Sequence, residues 1–345
     1  MDQLRNYYEQ WAAIPQPRKV KTLKLTAFIC YFLFFLLLII YAFGRTGQKT
    51  ASITPFVLFT DGTPYNLQVV RYMAQRRDVV ISMIVVSTNT LASARLNADA
   101  RIVQNLVNAL QSEGLKTHVP EVYASYNAST NSFPEPLDAK LAKTKASFLI
   151  IGPCTDAAYF LQKYAERRAN VNSVYVAGGA FNAAGNANYF NSSITGVERN
   201  FYMDPSAADY VMAMKHGRPV VMLPLDATLA WSSPAYNAIV SSPASSESAV
   251  TVARGLRWYY ENVDKTKRVT VGIAAAAYAS DTQVQTGVTV TSIPVRVYTS
   301  AADARYGRSY RPPASADEKK VTVVLSLVES TFFRHVINVN GLSLA

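Results

Sequence analysis

Cysteine and histidine are scarce in this chain, and their scarcity removes whole classes of chemistry. The two cysteines, Cys30 and Cys154, sit in unlike contexts, one inside an apolar run and one at a strand-to-loop transition, so no mutual disulfide is expected. No Cys/His set has the spacing of a zinc site. The three histidines, His118, His216 and His335, stand far apart without partners at metal or triad spacing, and are expected on loops or at the surface. Acidic residues are the other shortage: 23 Asp and Glu against 34 Lys and Arg give a formal net charge of +11. Such a balance favours anionic surroundings. The basic residues are scattered (Arg76 and Arg77, Arg167 and Arg168, Lys265 to Arg268) and no aromatic-interleaved RNA motif accompanies them, so nucleic acid is not an expected partner.

What the chain does have is apolar: half its residues are hydrophobic, enough for a sizeable core. Residues 25–43 carry no charge, and a run of roughly 20 such residues matches a bilayer core. Tyr31 and Tyr41 lie near its ends, where interfacial aromatic rings are favoured. Arg18, Lys19, Lys21 and Lys24 precede the run and only Arg45 and Lys49 follow closely, which places the N-terminus on the cytosolic or matrix side. The expected organisation is an N-terminal extension over 1–24, a transmembrane helix over 25–43, a linker over 44–53 and one large domain over 54–345.

Within that domain, strand and helix patterns alternate. Strands are expected at 54–59, 79–86, 148–151, 174–176 and 220–223. Helices are expected at 66–77, where Leu67, Val70 and Met73 share a side, and at 98–111 and 155–167. This alternation predicts an α/β fold with an open, mainly parallel sheet covered by helices on both faces. Ligand sites in such sheets lie beyond the carboxyl ends of the strands.

The loops at those ends carry a resemblance. Phe59-Thr60-Asp61 falls on an Asp-Thr-Asp opening, and Ile151-Gly152-Pro153-Cys154-Thr155 on a Gly-Pro-Leu-Thr-Asn turn. Gly178-Gly179-Ala180-Phe181 and Gly185-Asn186 form a third block, and Glu198-Arg199-Asn200 with Asp204-Pro205 resembles Glu-Phe-Asn followed by Asp-Pro. Pro224-Leu225-Asp226-Ala227-Thr228 and a closing strand and helix over 320–339 complete the order. Together these resemble the inosine–uridine-preferring nucleoside hydrolases, over roughly residues 54–342. The resemblance implies an open α/β fold, cleavage of a ribonucleoside N-glycosidic bond and a calcium ion held by carboxylates.

The residues depart from that pattern where the calcium would sit. The four aspartate positions of the family opening fall on Phe59, Asp61, Tyr65 and Asn66, and a later His-Asp pair falls on Val271 and Gly272. Asp61 alone remains acidic, Asn66 offers a neutral oxygen, and calcium requires six to eight oxygen ligands. The resemblance assigns ribose contacts to Asn89, Asn186, Glu198 and Asn200, although extra residues separate Asn186 from Glu198. Their retention reads either as ligand binding or as buried polar groups satisfied by the fold.

These departures lead to the expectation of a non-catalytic accessory subunit of a membrane complex, without metal or cofactor, set in the mitochondrial inner membrane. Its expected partners are the other subunits and the lipid around 25–43. The alternative is a membrane-anchored nucleoside hydrolase or ribonucleoside-binding protein with a rearranged site, in an endomembrane or plasma membrane. Asp61, Asn66, Asn89, Asn186, Glu198 and Asn200 are then vestigial site positions.

Overall fold

The protein is described by a computed structural model that covers residues 9, 27–28, 30–35, 54–87, 100–114, 120–189, 192–240, 246–264, 268–313 and 318–339. The chain divides into two units, Met1–Ser52 and Ile53–Ala345. In the first, residues 27–28 and 30–35 are helical, and Phe28, Tyr31, Phe32, Leu33, Phe34 and Phe35 are exposed. Among the described residues no helix is long and apolar enough to cross a membrane. The span expected at 25–43 is therefore not found: the described helical stretch is too short to cover a bilayer core, and the rest of the run lies outside the described residues.

The second unit opens with β1 (Thr54–Thr60), α1 (Leu67–Gln75), β2 (Val79–Val86), α2 (Ala100–Ser112), β3 (Glu121–Ala124), α3 (Pro134–Leu141), β4 (Ala146–Ile150) and α4 (Thr155–Lys163). It continues with β5 (Val171–Ala177), α5 (Arg199–Met203), α6 (Pro205–Met212), β6 (Val220–Leu223), α7 (Ser233–Val240), α8 (Glu247–Asn262) and α9 (Val271–Ser280). The last elements are β7 (Thr289–Ile293), β8 (Arg296–Val297), β9 (Ser309–Tyr310), β10 (Val321–Ser326) and α10 (Glu329–Val339). The helix expected over 155–167 stops at Lys163, and Ala165–Asn170 tightens into a 3₁₀ turn.

Eight strands form one sheet in the order β3-β2-β1-β4-β5-β6-β10-β7, parallel throughout except for the antiparallel edge strand β7. The pair β8–β9 stands apart. The open, mainly parallel sheet read from the sequence is thus present. Its central strands bury both faces, which is why β1 and β4 read as continuous apolar runs rather than alternating ones. One core, with Leu67, Val70 and Met73 of α1 and Phe332 of α10, covers one face. A second, with Phe133, Phe160 and Phe201, covers the other. Helix α9 is sealed on every side, with Ala274 to Ala277 fully buried, and small side chains let it lie close against α1 and the central strands.

Strand order reverses between β1 and β4, whose following helices α1 and α4 pack on opposite faces. That divergence opens a crevice at the carboxyl ends of these strands.

His216 lies on a loop as expected, but buried, whereas His335 lies on a helix. His216 is buried in the turn before β6, where its Nδ1 accepts from the Arg218 amide at 3.1 Å. His335 lies on α10 with its Nε2 2.6 Å from the Tyr72 hydroxyl and 2.9 Å from Arg76 Nη1. Both pack into the fold because an imidazole with polar partners is tolerated inside. His118 lies outside the described residues.

Candidate active site

Asp61 follows the last residue of β1 and is fully buried. The turn after it folds back so that Oδ1 accepts from the Thr63 amide at 3.2 Å, the Thr63 hydroxyl at 2.7 Å and Asn66 Nδ2 at 2.9 Å. Oδ2 faces the Arg199 guanidinium, with Nη1 at 2.8 Å. This contact is an ion pair rather than an aligned hydrogen bond, so neither atom has a directed partner.

Asn66 precedes α1 and sends Nδ2 also to the Ile151 carbonyl beyond β4 at 3.1 Å. Two carbonyl-type acceptors on Nδ2 fix the amide orientation and turn Oδ1 toward α9. A Cβ placed on Gly272 would lie 2.9 Å from that oxygen, so the glycine keeps room for the asparagine. Phe59 points to the opposite core and packs on Phe133 and Phe148. Tyr65 is buried under the guanidinium, its ring centroid 5.0 Å from Arg199 Cζ and 4.2 Å from the Tyr259 ring, and its hydroxyl makes no aligned hydrogen bond.

Glu198 caps α5: its Oε2 accepts from the Phe201 amide at 3.1 Å and from the Gly179 amide at 3.1 Å, tying the helix to the turn after β5. Asn200 gives Nδ2 to the carbonyls of Ala177 at 2.8 Å and Ile151 at 3.3 Å, and Oδ1 accepts from Arg199 Nη2 at 2.9 Å. Asn186 Oδ1 accepts from the Arg199 amide at 2.7 Å. The extra residues between Asn186 and Glu198 do not spread these groups apart. Their neck is closed by a Gly185–Val197 bridge, by both Asn186 and Ala187 amides on the Val197 carbonyl at 2.9 and 3.1 Å, and by the Gly196 amide on Ala184 at 2.6 Å. Gly185 is required there: at φ +82° a Cβ would meet Val197 backbone atoms at 2.4 Å.

These residues line a cavity of about 1050 Å³. Tyr65, Asn66, Asn186, Glu198, Arg199 and Asn200 form its polar side, and Asp61 lies sealed behind them. On the rim, Asp226 collects the amides of Phe181, Asn182 and Ala183 at 2.7–3.2 Å and fixes the loop after β5. Burial raises the Glu198 pKa, partly offset by the amides of Asn200, Gly179 and Phe201. Burial opposes the Arg199 charge, but Tyr65, Asp61 and Glu198 more than offset it and hold its pKa above the usual arginine value. The Tyr65 phenol is pushed up chiefly by burial.

Five of the six expected positions, Asp61, Asn66, Asn186, Glu198 and Asn200, therefore meet at one place. Asn89 lies outside the described residues. Sequence reasoning missed Arg199, although it stands where the resembled Glu-Phe-Asn block has an aromatic residue. The residues do not fit a calcium ion. Asp61 is already engaged by three donors and a guanidinium, Gly272 contributes no ligand, and no group of three or more acids, histidines or cysteines suited to a metal occurs among the described residues.

Residues 86–334 match the family model described as inosine-uridine preferring nucleoside hydrolase. The chain belongs to this family. The match starts after α1, so it leaves out the segment that holds Asp61, Tyr65 and Asn66. A probable uridine nucleosidase 2 from Oryza sativa subsp. japonica is 33% identical over 115 residues, which cover 29% of this chain and 32% of that one. The chain thus aligns with about a third of that relative's length. Among solved structures, an inosine-uridine preferring nucleoside hydrolase from Bacillus anthracis has a TM-score of 0.61 at 17% identity, covering 83% of this chain and 98% of its own. A plant nucleoside hydrolase gives 0.61 at 14% over 82% and 99%, and a purine-preferring ribonucleoside hydrolase from Gardnerella vaginalis 0.59 at 16% over 83% and 99%. These likenesses show the fold.

Family membership overturns the expectation of a non-catalytic accessory subunit in a mitochondrial membrane complex. The chain falls among hydrolases, and nothing in its relatives points to a membrane assembly. The aspartates of the resembled opening are missing, but the cavity and its polar wall are present.

Proposed function

We propose that this protein takes a ribonucleoside into the cavity beyond β1, β4 and β5 and hydrolyses its N-glycosidic bond. The observation that carries the reading is the polar wall at the strand-order reversal, in a chain of the nucleoside hydrolase family. The cavity volume accommodates a base and a ribose together. Tyr65, Asn186 and Arg199 line the same wall and give it an aromatic ring, a side-chain amide and a positive charge. Glu198 places a carboxyl group at the same wall, suited to a sugar that gains positive charge as the C1′–N bond breaks. As the C1′–N bond breaks, a water oxygen bonds to C1′ and the water's proton goes to the departing base nitrogen, releasing ribose and free base. The name of the rice relative makes uridine the first substrate to try.

The test is incubation of the full chain with uridine and with inosine, followed by chromatography of the released base. Base release that falls at least tenfold in Glu198→Gln is expected. No release above a protein-free blank from either nucleoside overturns the reading.

A further inference from the structure

We propose, on the reading that this cavity takes a ribonucleoside, that the Arg199 guanidinium is a built-in cation standing in place of a divalent metal, so that the site forms and binds without calcium. Asp61 is a fully buried carboxylate and needs a counter-charge; Arg199 Nη1 supplies it at 2.8 Å. The guanidinium is held in place rather than left to swing. Nη2 donates to Asn200 Oδ1 at 2.9 Å, the Tyr65 ring lies against Cζ at 5.0 Å, and the Arg199 amide donates to Asn186 Oδ1 at 2.7 Å.

The changes at this site are reciprocal. Where the resembled opening has several carboxylates, this chain has one, with Phe59, Tyr65 and Asn66 at the other positions, and Gly272 stands at the aspartate of the later His-Asp pair. Where the resembled Glu-Phe-Asn block has an uncharged aromatic, this chain has arginine. One carboxylate now balances one cation, and that cation is tethered to α5. Space follows the same logic, since Gly272 admits no larger side chain while Asn66 Oδ1 lies 2.9 Å from its would-be Cβ. An arginine has five N–H donors in a planar fork. With Nη1 toward Asp61 and Nη2 on Asn200, the guanidinium is committed to the fold and lends its positive charge to the cavity wall that Arg199 helps to line.

Thermal unfolding of the full chain and uridine binding by calorimetry, each in EDTA and in millimolar calcium, test the proposal. Equal melting temperature and equal uridine affinity in both solutions are expected. A calcium-dependent rise in melting temperature, or uridine binding that appears only with calcium, overturns it. Absence of uridine binding in both solutions overturns the ribonucleoside reading instead, and the melting comparison still decides the cation question. Arg199→Met is expected to lower the melting temperature, and adding Asp61→Asn to it to recover most of the loss. Arg199→Lys keeps the charge and covers the case in which Arg199→Met does not fold. Lowering in Arg199→Met that Asp61→Asn leaves unrelieved overturns the charge-replacement account.

Discussion

Two fully buried aspartates stand near the carboxyl edge of the sheet, and the chain neutralises them differently. Asp61 is met by Thr63, Asn66 and a full positive charge on Arg199. Asp156, on α4, is met by neutral donors alone: the hydroxyls of Ser87 at 2.5 Å and Ser125 at 2.6 Å, and the Tyr126 amide at 3.0 Å. The first sits behind the cavity wall; the second ties together the segments after β2 and β3. Neutral donors suffice where the task is to join loops. A fixed formal cation in a cavity wall brings charge close to whatever enters it, so the difference separates that wall from a structural clasp.

The comparison breaks most severely at Asp61. Asp61→Ala leaves a buried guanidinium without its counter-charge, and removal of one partner of such a pair costs about 3–5 kcal/mol. Urea unfolding of variant and parent should show a loss of that size; a loss below about 1 kcal/mol would mean that water reaches Arg199 and that the pair is no stronger than a surface one.

Asp156 offers the milder counterpart. Asp156→Ala strands an amide and two hydroxyls, and a loss of about 3 kcal/mol is expected by the same urea measurement. Asp156→Asn should lose less, because both serine hydroxyls can rotate to suit an amide. A larger loss for Asp156→Asn than for Asp61→Asn in the Arg199→Met background would reverse the ranking of the two carboxylates.

His216 sharpens the comparison by supplying pH dependence away from both. Burial pushes its pKa down to about 4, below the value of about 6.5 for a free imidazole. The unfolded chain therefore binds the proton first, so the stability contributed by the neutral ring is complete above about pH 6.5. It declines as pH falls and is lost below about pH 4, a change of about 3 kcal/mol. His216→Gln should flatten this part of the stability–pH curve, whereas the Asp156 variants should leave it in place.

The fold was legible where burial is uniform. Strands β1, β2 and β6 were found nearly to the residue because most of each is buried and its sequence is largely apolar, Ser82 of β2 excepted. Strand β3, the short edge strand with Glu121 and Tyr123, carries no such run and was not anticipated; nor were β7, β8 and β9 or helices α7 and α8. At the site, Asp61, Asn66, Glu198 and Asn200 were legible through their blocks. Arg199 was not, because its meaning depends on Asp61, a distant residue brought close only by the fold. Its local neighbours gave a single clue, a charge where the resembled block is aromatic. The same blindness to pairing turned lost acids into an expected loss of function.

The closed neck between Gly185 and Val197 has a consequence for engineering. Because backbone bonds join the two ends of the excursion, the segment between them behaves as a cassette whose length is decoupled from the register of Asn186 and Arg199. A reporter peptide or an affinity tag grafted at the exposed Ser192 and Ser193, away from Asn186 and Asn188 in the cavity wall, would leave that wall in place.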